Sequence, residues 1–404
     1  MHTSTRLICC FTLLTTLAVS AQTDVILKTT SATPGIGESL TREADHAVRR
    51  GTDWLLAQQQ PDGHWSNPEY PALTALPLWA LAKSGCTDTQ AIEKATQCLL
   101  SYVHDDGSIW RETTDGRKGG GLPNYNTAIC MVALRMLNRP DLAPVILKAR
   151  DYMAKNQYVS GHDSYYGGFG YDPDSKRPYT DLSNSYLAFE AMKLTEDVED
   201  LRPEGEPKTD MDWEAAQVFL QNCQNLPTVN SNAWVNDDPE EVGGFVYHPE
   251  QTRAGTTSSE DGAVRFRSMP GMSYAGLLSY IYADVDRNDP RVKATVHWIR
   301  NNWSVDAATR DPEKVGTPEE REGLFYMYNV MSKGMAACGV DVLTPYEKPA
   351  FNWRVTLIEK MLSLQKTEPD GTGYWLNDVG RYFESDPILV TAYAILSIEY
   401  ALPE

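Results

Sequence analysis

The sequence predicts an all-α chain of six helical hairpins closed into a ring, an (α/α)6 toroid, and three observations carry that prediction. Helix endings of one pattern recur along the chain. Each is followed by a second helical stretch that is apolar nearly all round. The last of these, "DPILVTAYAILSIEYAL", is among the most apolar in the sequence. The series therefore ends without the polar face that caps an open stack of repeats, and closure onto its own beginning is expected.

The chain opens on "MHTSTRLICCFTLLTTLAVSAQ", with Arg6 ahead of an apolar run from Leu7 to Val19 and small residues at Val19 and Ala21. This is the pattern of a secretory signal peptide, residues 1–21, cleaved after Ala21. The run is shorter than the roughly 20 residues a spanning helix needs. Export to the periplasm or medium is expected, with no stable transmembrane segment once the signal is removed. Residues 22–43, which begin "QTDVILKTTSATPGIGES", show no helical period and are expected to form a leader. A single toroidal domain is expected over residues 44–404.

The first helix ending reads "RGTDWLLAQQQPDGHW", with Trp54, Gln59, Asp62, Gly63 and Trp65. The second, "KATQCLLSYVHDDGSIW", keeps Asp106, Gly107 and Trp110 but has Val103 in place of the glutamine. Tyr152 with Gln157, and Phe219 with Gln224, repeat the aromatic and the glutamine. Trp298 stands at the same offset from Trp303, where the glutamine is lost. The last copy, "LIEKMLSLQKTEPDGTGYW", keeps Gln365, Gly373 and Trp375. Such self-similarity is the mark of a repeat architecture.

The first helix of each pair is amphipathic, with Arg49, Arg50, Lys148 and Arg150 among the charges on one side. The second helices are "LTALPLWALAKSG" from Leu73, "NTAICMVALRML" from Asn126, "NSYLAFEAMKL" from Asn184, "MSYAGLLSYIYA" from Met272, "GLFYMYNVMSKGMAACG" from Gly323 and "VTAYAILSIEYAL" from Val390. Helices apolar on nearly every face are buried on nearly every face. The unit is thus an outer helix, a turn and an inner helix. Two acidic, proline-containing stretches, "TEDVEDLRPEGEPKTDMDW" and "SVDAATRDPEKVGTPEEREG", read as surface connections.

With these repeats in place, the stretch from Arg50 to Trp65 resembles the QW motif of the squalene and oxidosqualene cyclases and the related prenyltransferase repeat. The match comprises Arg50, Gly51, Trp54, Leu55, Gln59, Gly63 and Trp65. It is complete in the first copy and degenerate in the others, and the repeats cover residues 44 to 403. The resemblance implies a toroid with a cavity at the inner-helix starts and a small apolar or isoprenoid ligand. Any enzyme activity it implies is that of a terpenoid cyclase or mutase, an isomerase. A shared toroid does not by itself fix the chemistry.

Cyclases of this group protonate an alkene with an Asp in a DxDD segment followed by Thr-Ala. The corresponding stretches here are "PNYNTA" and "DLSNSY". The second keeps Asp181 but has Ser183 and Asn184 where the acidic pair should be. So strong a proton donor is not reproduced by amide and hydroxyl groups, which argues against squalene-type cyclisation. The acids of "VNDDPEE" lie in a loop. Prenyltransferases hold zinc with Asp, Cys and His. Cys338 and His297 fall in the right half, but "MSYAGLLSYIYA" has no Asp-x-Cys, so no metal and no cofactor are expected. The Cys-Gly-Glu-Gln of thioester toroids is also missing.

Asp181 is the candidate catalytic acid or cation-stabilising group. The candidate binding residues are Asn124, Tyr125, Asn126, Tyr166, Tyr179, Ser183, Asn184, Tyr186, Arg265, Arg267 and Tyr274, with Tyr165 and Tyr171 beside them. Together they would give the mixed lining of a ligand site. The plainer alternative is that Asp181 caps its helix and that the tyrosines are core residues with satisfied hydroxyls. His64, His162 and His248 fall in turns without metal-ligand spacing and are expected in solvent.

Cys86, Cys98, Cys130, Cys223 and Cys338 are scattered, and fit buried thiols better than a disulfide framework. A formal net charge of −19 argues against nucleic acid and anionic lipid as partners. Three functional classes stay open. One is a terpenoid cyclase-like protein whose aromatic faces stabilise carbocations. Another is a polysaccharide lyase or hydrolase, with a glycan partner and Tyr, Arg and Asp as acid, charge neutraliser and base. The third is a non-catalytic binding or scaffold toroid.

Overall fold

The computed structural model describes residues 35–114, 120–161, 163–172, 179–258 and 262–403. The expected signal peptide, most of the leader and His162 lie outside these residues. Twelve α-helices are described: α1 (Glu38–Gln58), α2 (Ala72–Lys83), α3 (Thr89–Leu100), α4 (Pro123–Met136), α5 (Ala143–Lys155), α6 (Leu182–Leu194), α7 (Trp213–Cys223), α8 (Pro270–Tyr282), α9 (Pro290–Asn301), α10 (Leu324–Cys338), α11 (Trp353–Leu364) and α12 (Pro387–Ala401). α1 begins inside the stretch expected as leader.

The even-numbered helices form an inner ring. α2 packs on α4, α4 on α6, α6 on α8, α8 on α10, α10 on α12, and α12 on α2. The odd-numbered helices lie outside, and α11 and α1 meet to complete the outer ring. The fold is an (α/α)6 toroid. The six inner helices coincide with the stretches expected to be apolar all round. α12 is buried from Leu389 to Ile398, because a helix inside two shells of neighbours has no face left for water.

The recurring glutamines explain how neighbouring hairpins are joined. Gln59 Nε2 donates to the Gly63 carbonyl of its own turn (3.1 Å) and to Ala91 in the first turn of the next outer helix, α3 (2.9 Å). Gln157 repeats this with Gly167 (3.0 Å) and Asp212 (2.8 Å). Gln224 repeats it with Gly243 (3.2 Å) and Arg291 (3.0 Å). Helix ends leave carbonyls and amides without intrahelical partners, and one amide side chain serves two segments at once. The turn glycine is needed for space as well as for its positive φ. A Cβ on Gly63 (φ +94°) would lie 2.3 Å from the Lys94 carbonyl oxygen, and one on Gly167 (φ +88°) 1.8 Å from that of Ala215.

The residue after the turn is tied to the following inner helix. Trp65 N donates to Thr74 Oγ1 (3.2 Å), Phe169 N to Ser185 Oγ (2.8 Å), Phe245 N to Ser273 Oγ (3.0 Å) and Trp375 N to Thr391 Oγ1 (3.0 Å). In the second hairpin this bond is made by Ile109 to Thr127 (2.9 Å). Ile109, rather than Trp110, therefore occupies the tryptophan position of that copy; Trp110 stacks on His104 instead.

One more expectation changes. Arg150 is buried, not on a solvated face. It pairs with Glu199 (2.8 Å) and donates to the Met192 carbonyl and Thr195, anchoring the first acidic connection to α5. The five described cysteines are all free thiols. Cys98, Cys130 and Cys223 are buried.

Candidate functional site

The first turns of all six inner helices face one cavity of about 240 Å³. Ala72 and Leu73 come from α2, Tyr125 from α4, Ser183 from α6, Gly271 and Met272 from α8, Tyr326 and Met327 from α10, and Leu389 and Tyr393 from α12. Loops complete the wall with Tyr70, Tyr171, Tyr247, Tyr382 and Phe383. The lining is thus mainly aromatic and aliphatic. Its two charged residues are Arg253 and Glu322. Glu322 is paired with Lys314 (2.8 Å) and Arg381 (3.4 Å). The Arg253 guanidinium lies over the Tyr247 ring, 4.6 Å from its centre.

Tyr125 and Ser183 are the expected binding residues that reach this wall. Asp181 stands just behind it, fully buried, as the N-cap of α6. Its Oδ1 accepts the Asn184 backbone amide (2.9 Å) and its Oδ2 accepts Asn184 Nδ2 (2.7 Å). The Tyr247 hydroxyl also bonds this carboxylate. Burial pushes the Asp181 carboxyl up to about 6, against the pull of those donors. A capping role is thus what the geometry gives Asp181, and through Tyr247 it helps hold one ring of the cavity wall.

The other expected residues are placed elsewhere. Asn126 is spent on structure: its Oδ1 accepts Ala72 N (2.8 Å) and its Nδ2 donates to the Gly121 carbonyl (2.6 Å). Asn124 Nδ2 donates to the Gly170 carbonyl (2.9 Å). Tyr186 is buried deeper, donating to Glu190 (3.1 Å), which Lys333 and Tyr282 also bond. Tyr274 packs edge-on against Trp303. Arg265 donates to the Ala233 carbonyl, and Arg267 bonds the buried Glu241 (3.2 Å), which Arg310 also reaches. Tyr166 and Tyr179 lie off the cavity lining.

Tyr179 instead stacks on His248, with ring centres 4.8 Å apart. His248 is buried rather than solvated, and burial lowers its imidazole pKa. Among the described residues no group of His, Cys, Asp and Glu is placed to hold a metal ion. Among the same residues no helix is long and apolar enough to cross a membrane.

Sequence reasoning missed Tyr326, in the first turn of α10, and Tyr393, one turn further into α12. For Tyr393 the signal is helical spacing, since it follows Leu389 by four residues on the same face. Tyr70, Arg253, Tyr382 and Phe383 lie on loops, where no period marks them.

No family model matches the chain. A stretch of 129 residues is 30% identical to enfumafungin synthase of Hormonema carpetanum, covering 31% of this chain and 9% of that protein. Another of 124 residues is 32% identical to ent-copalyl diphosphate synthase of a Streptomyces strain, covering 29% of this chain and 22% of that protein. The chain thus matches under a quarter of the length of either curated relative. Over 91% of its length it superposes on D-mannose isomerase, covering 98% of that chain (TM-score 0.53, 12% identity). Cellobiose 2-epimerase from Spirochaeta thermophila is similar over 91% of this chain and 99% of its own (TM-score 0.52, 11% identity). A type II terpene cyclase from Scytonema, in complex with the product merosterolic acid A, is similar over the same shares (TM-score 0.50, 11% identity). The structural likenesses show a toroid, and about a third of the chain is similar in sequence to parts of two terpenoid-forming synthases.

Proposed function

We propose that this protein is an exported terpenoid cyclase-like toroid of the QW-repeat group that holds a small apolar ligand of isoprenoid type. The observation that carries the reading is the cavity, where seven tyrosines and one phenylalanine stand among aliphatic side chains at the meeting of the inner-helix starts. Such walls gain from excluding water and from dispersion contact with an apolar body. They offer π faces to any positive charge that develops on it. The signal-peptide pattern of residues 1–21 supports export.

Alkene protonation is not the chemistry this wall supports. Asp181 has its oxygens bonded by Asn184 and Tyr247 and is held near 6, so it is mostly ionised at neutral pH. Ser183 and Asn184 stand where a second and third carboxyl would be. A glycan ligand is the second reading, favoured by the tyrosine faces, which also stack on sugar rings. The scarcity of polar groups on the wall weighs against it.

The test is incubation with squalene and with geranyl, farnesyl and geranylgeranyl alcohols, alongside Asp181→Asn. No cyclised product is expected from either protein, and both should bind the shorter alcohols equally. A cyclised product that disappears in Asp181→Asn would restore the acid role.

A further inference from the structure

We propose that Arg253 is an anion-recognising residue of the cavity, and that the ligand carries one acidic group, a carboxylate or a phosphate monoester, on a short apolar body. This rests on the reading of the cavity as a site for an apolar ligand, and it narrows that ligand to an acid.

The first ground is charge left without a partner. Arg253 lines the cavity and is half-buried, yet among the described residues no carboxylate pairs with it. The other charged lining residue, Glu322, is already engaged by Lys314 and Arg381. Asp181 is committed to Asn184 and Tyr247. A partly desolvated guanidinium without a counter-ion is costly, and among the described residues this one is met by the Tyr247 face and the Tyr179 hydroxyl. Burial lowers its pKa, but the neighbouring Tyr382, Tyr247 and Tyr179 outweigh that and raise it, so it stays charged at any physiological pH. The planar fork of donors matches a carboxylate or phosphate in two-point contact.

The second ground is the field of the scaffold. All six inner helices present their first turns to this cavity. Helix N-termini favour negative charge, and α4 and α8 have no side-chain cap to answer it. In a chain of net charge −19, this is a local reversal of sign. A neutral hydrocarbon would gain nothing from it.

The third ground is size. At about 240 Å³ the cavity lies below the roughly 300–1,000 Å³ of common small-molecule sites. That suits a chain of about ten carbons with a head group better than a triterpene.

The experiment compares geraniol, geranic acid and geranyl monophosphate by isothermal titration in low salt, with wild type and Arg253→Met. Wild type should bind at least one of the two acids tenfold or more tighter than the alcohol, and which acid leads identifies the head group. Arg253→Met should bring the acids to within about twofold of the alcohol, and a thermal midpoint no lower than that of wild type shows that the fold is kept. Arg253→Lys should restore part of the preference. Equal binding of alcohol and acids by wild type would overturn the role of Arg253 and leave the apolar site standing. So would a preference that survives Arg253→Met. Failure of all three probes to bind would overturn both readings.

Discussion

Gln365, the C-cap of α11, donates its side-chain amide to the carbonyl of Ala47 in α1, at 2.8 Å. The last outer helix is thereby joined to the first, as Gln59, Gln157 and Gln224 join consecutive ones. Arg50 of α1 returns a hydrogen bond to the Gln365 side-chain oxygen. These bonds close the ring between segments more than 300 residues apart in sequence. Gln365→Leu leaves both partners unsatisfied in a part-buried seam and should cost about 1–3 kcal/mol. Urea unfolding measures it, and the loss should exceed that of Gln58→Leu at the end of α1, more than two turns from these bonds.

The buried pair Lys333 and Glu190 (3.0 Å) lies between α10 and α6. Tyr186 and Tyr282 also bond Glu190, and the Lys333 ammonium sits 3.9 Å from the centre of the Trp79 ring. Removing one member of such a pair strands the other charge. Lys333→Met should therefore destabilise by about 3–5 kcal/mol, whereas Glu190→Gln with Lys333→Met should recover much of that loss. Denaturant unfolding of the two single variants and the double variant gives the comparison.

Stability should pass through a maximum in mildly acid solution. Burial raises Asp181 to about 6 and Glu384 to about 7, from 3.8 and 4.5. For a carboxyl raised in the folded state, the stabilisation is complete below the unfolded pKa and is lost as pH rises through the folded one. These two groups should therefore lower stability between about pH 4 and 7, Asp181 up to about 6 and Glu384 from about 4.5, each by on the order of 3 kcal/mol. Glu199 has the opposite sign: burial pushes it up, but Arg202 and Arg150 hold it down at about 2. Its contribution is present above 4.5 and lost as pH falls towards 2. Unfolding free energy measured against pH checks the shape, and Asp181→Asn should flatten the part near 6 while keeping an N-cap.

Tyr382 and Phe383 have φ of +60° and +63°, which costs non-glycine residues about 1–3 kcal/mol each. Both rings are half-exposed and line the mouth of the cavity. The turn is held at its base by Glu384, whose carboxylate accepts the Tyr326 amide (2.8 Å) and Asn377 Nδ2 (2.6 Å). Asparagine tolerates positive φ, so Tyr382→Asn should stabilise the protein by about 1 kcal/mol. The same substitution should weaken binding of geraniol. A thermal scan and a titration on one sample test both halves.

The ring was legible in the sequence because each hairpin repeats the same local solution. Gln59 and Gly63 mark a turn that must fit against a neighbour, and the inner helices have no polar face to read otherwise. The site was less legible because residues near helix starts do two jobs with the same side chains. Asn126 and Asp181 are polar at helix starts, and their atoms are consumed by Ala72, Gly121 and Asn184. Arg265 and Arg267 look like cavity cations in sequence but serve Ala233 and Glu241. Arg253, in an irregular loop, faces the cavity without any period to announce it. Residue type favours Trp110 over Ile109, whereas the hydrogen bond to Thr127 depends on backbone position.

The most direct measurement is titration of geraniol into wild type and Gly271→Leu by calorimetry. Gly271 lines the cavity, and a Cβ added there meets nothing closer than 3.7 Å, on Tyr326. Leucine can therefore fill the space without breaking the ring. Wild type should saturate at one geraniol per chain, while the filled variant folds normally and shows no saturable binding. Contradiction would come from unchanged binding in Gly271→Leu, or from a wild type that ignores geraniol and saturates with an oligosaccharide.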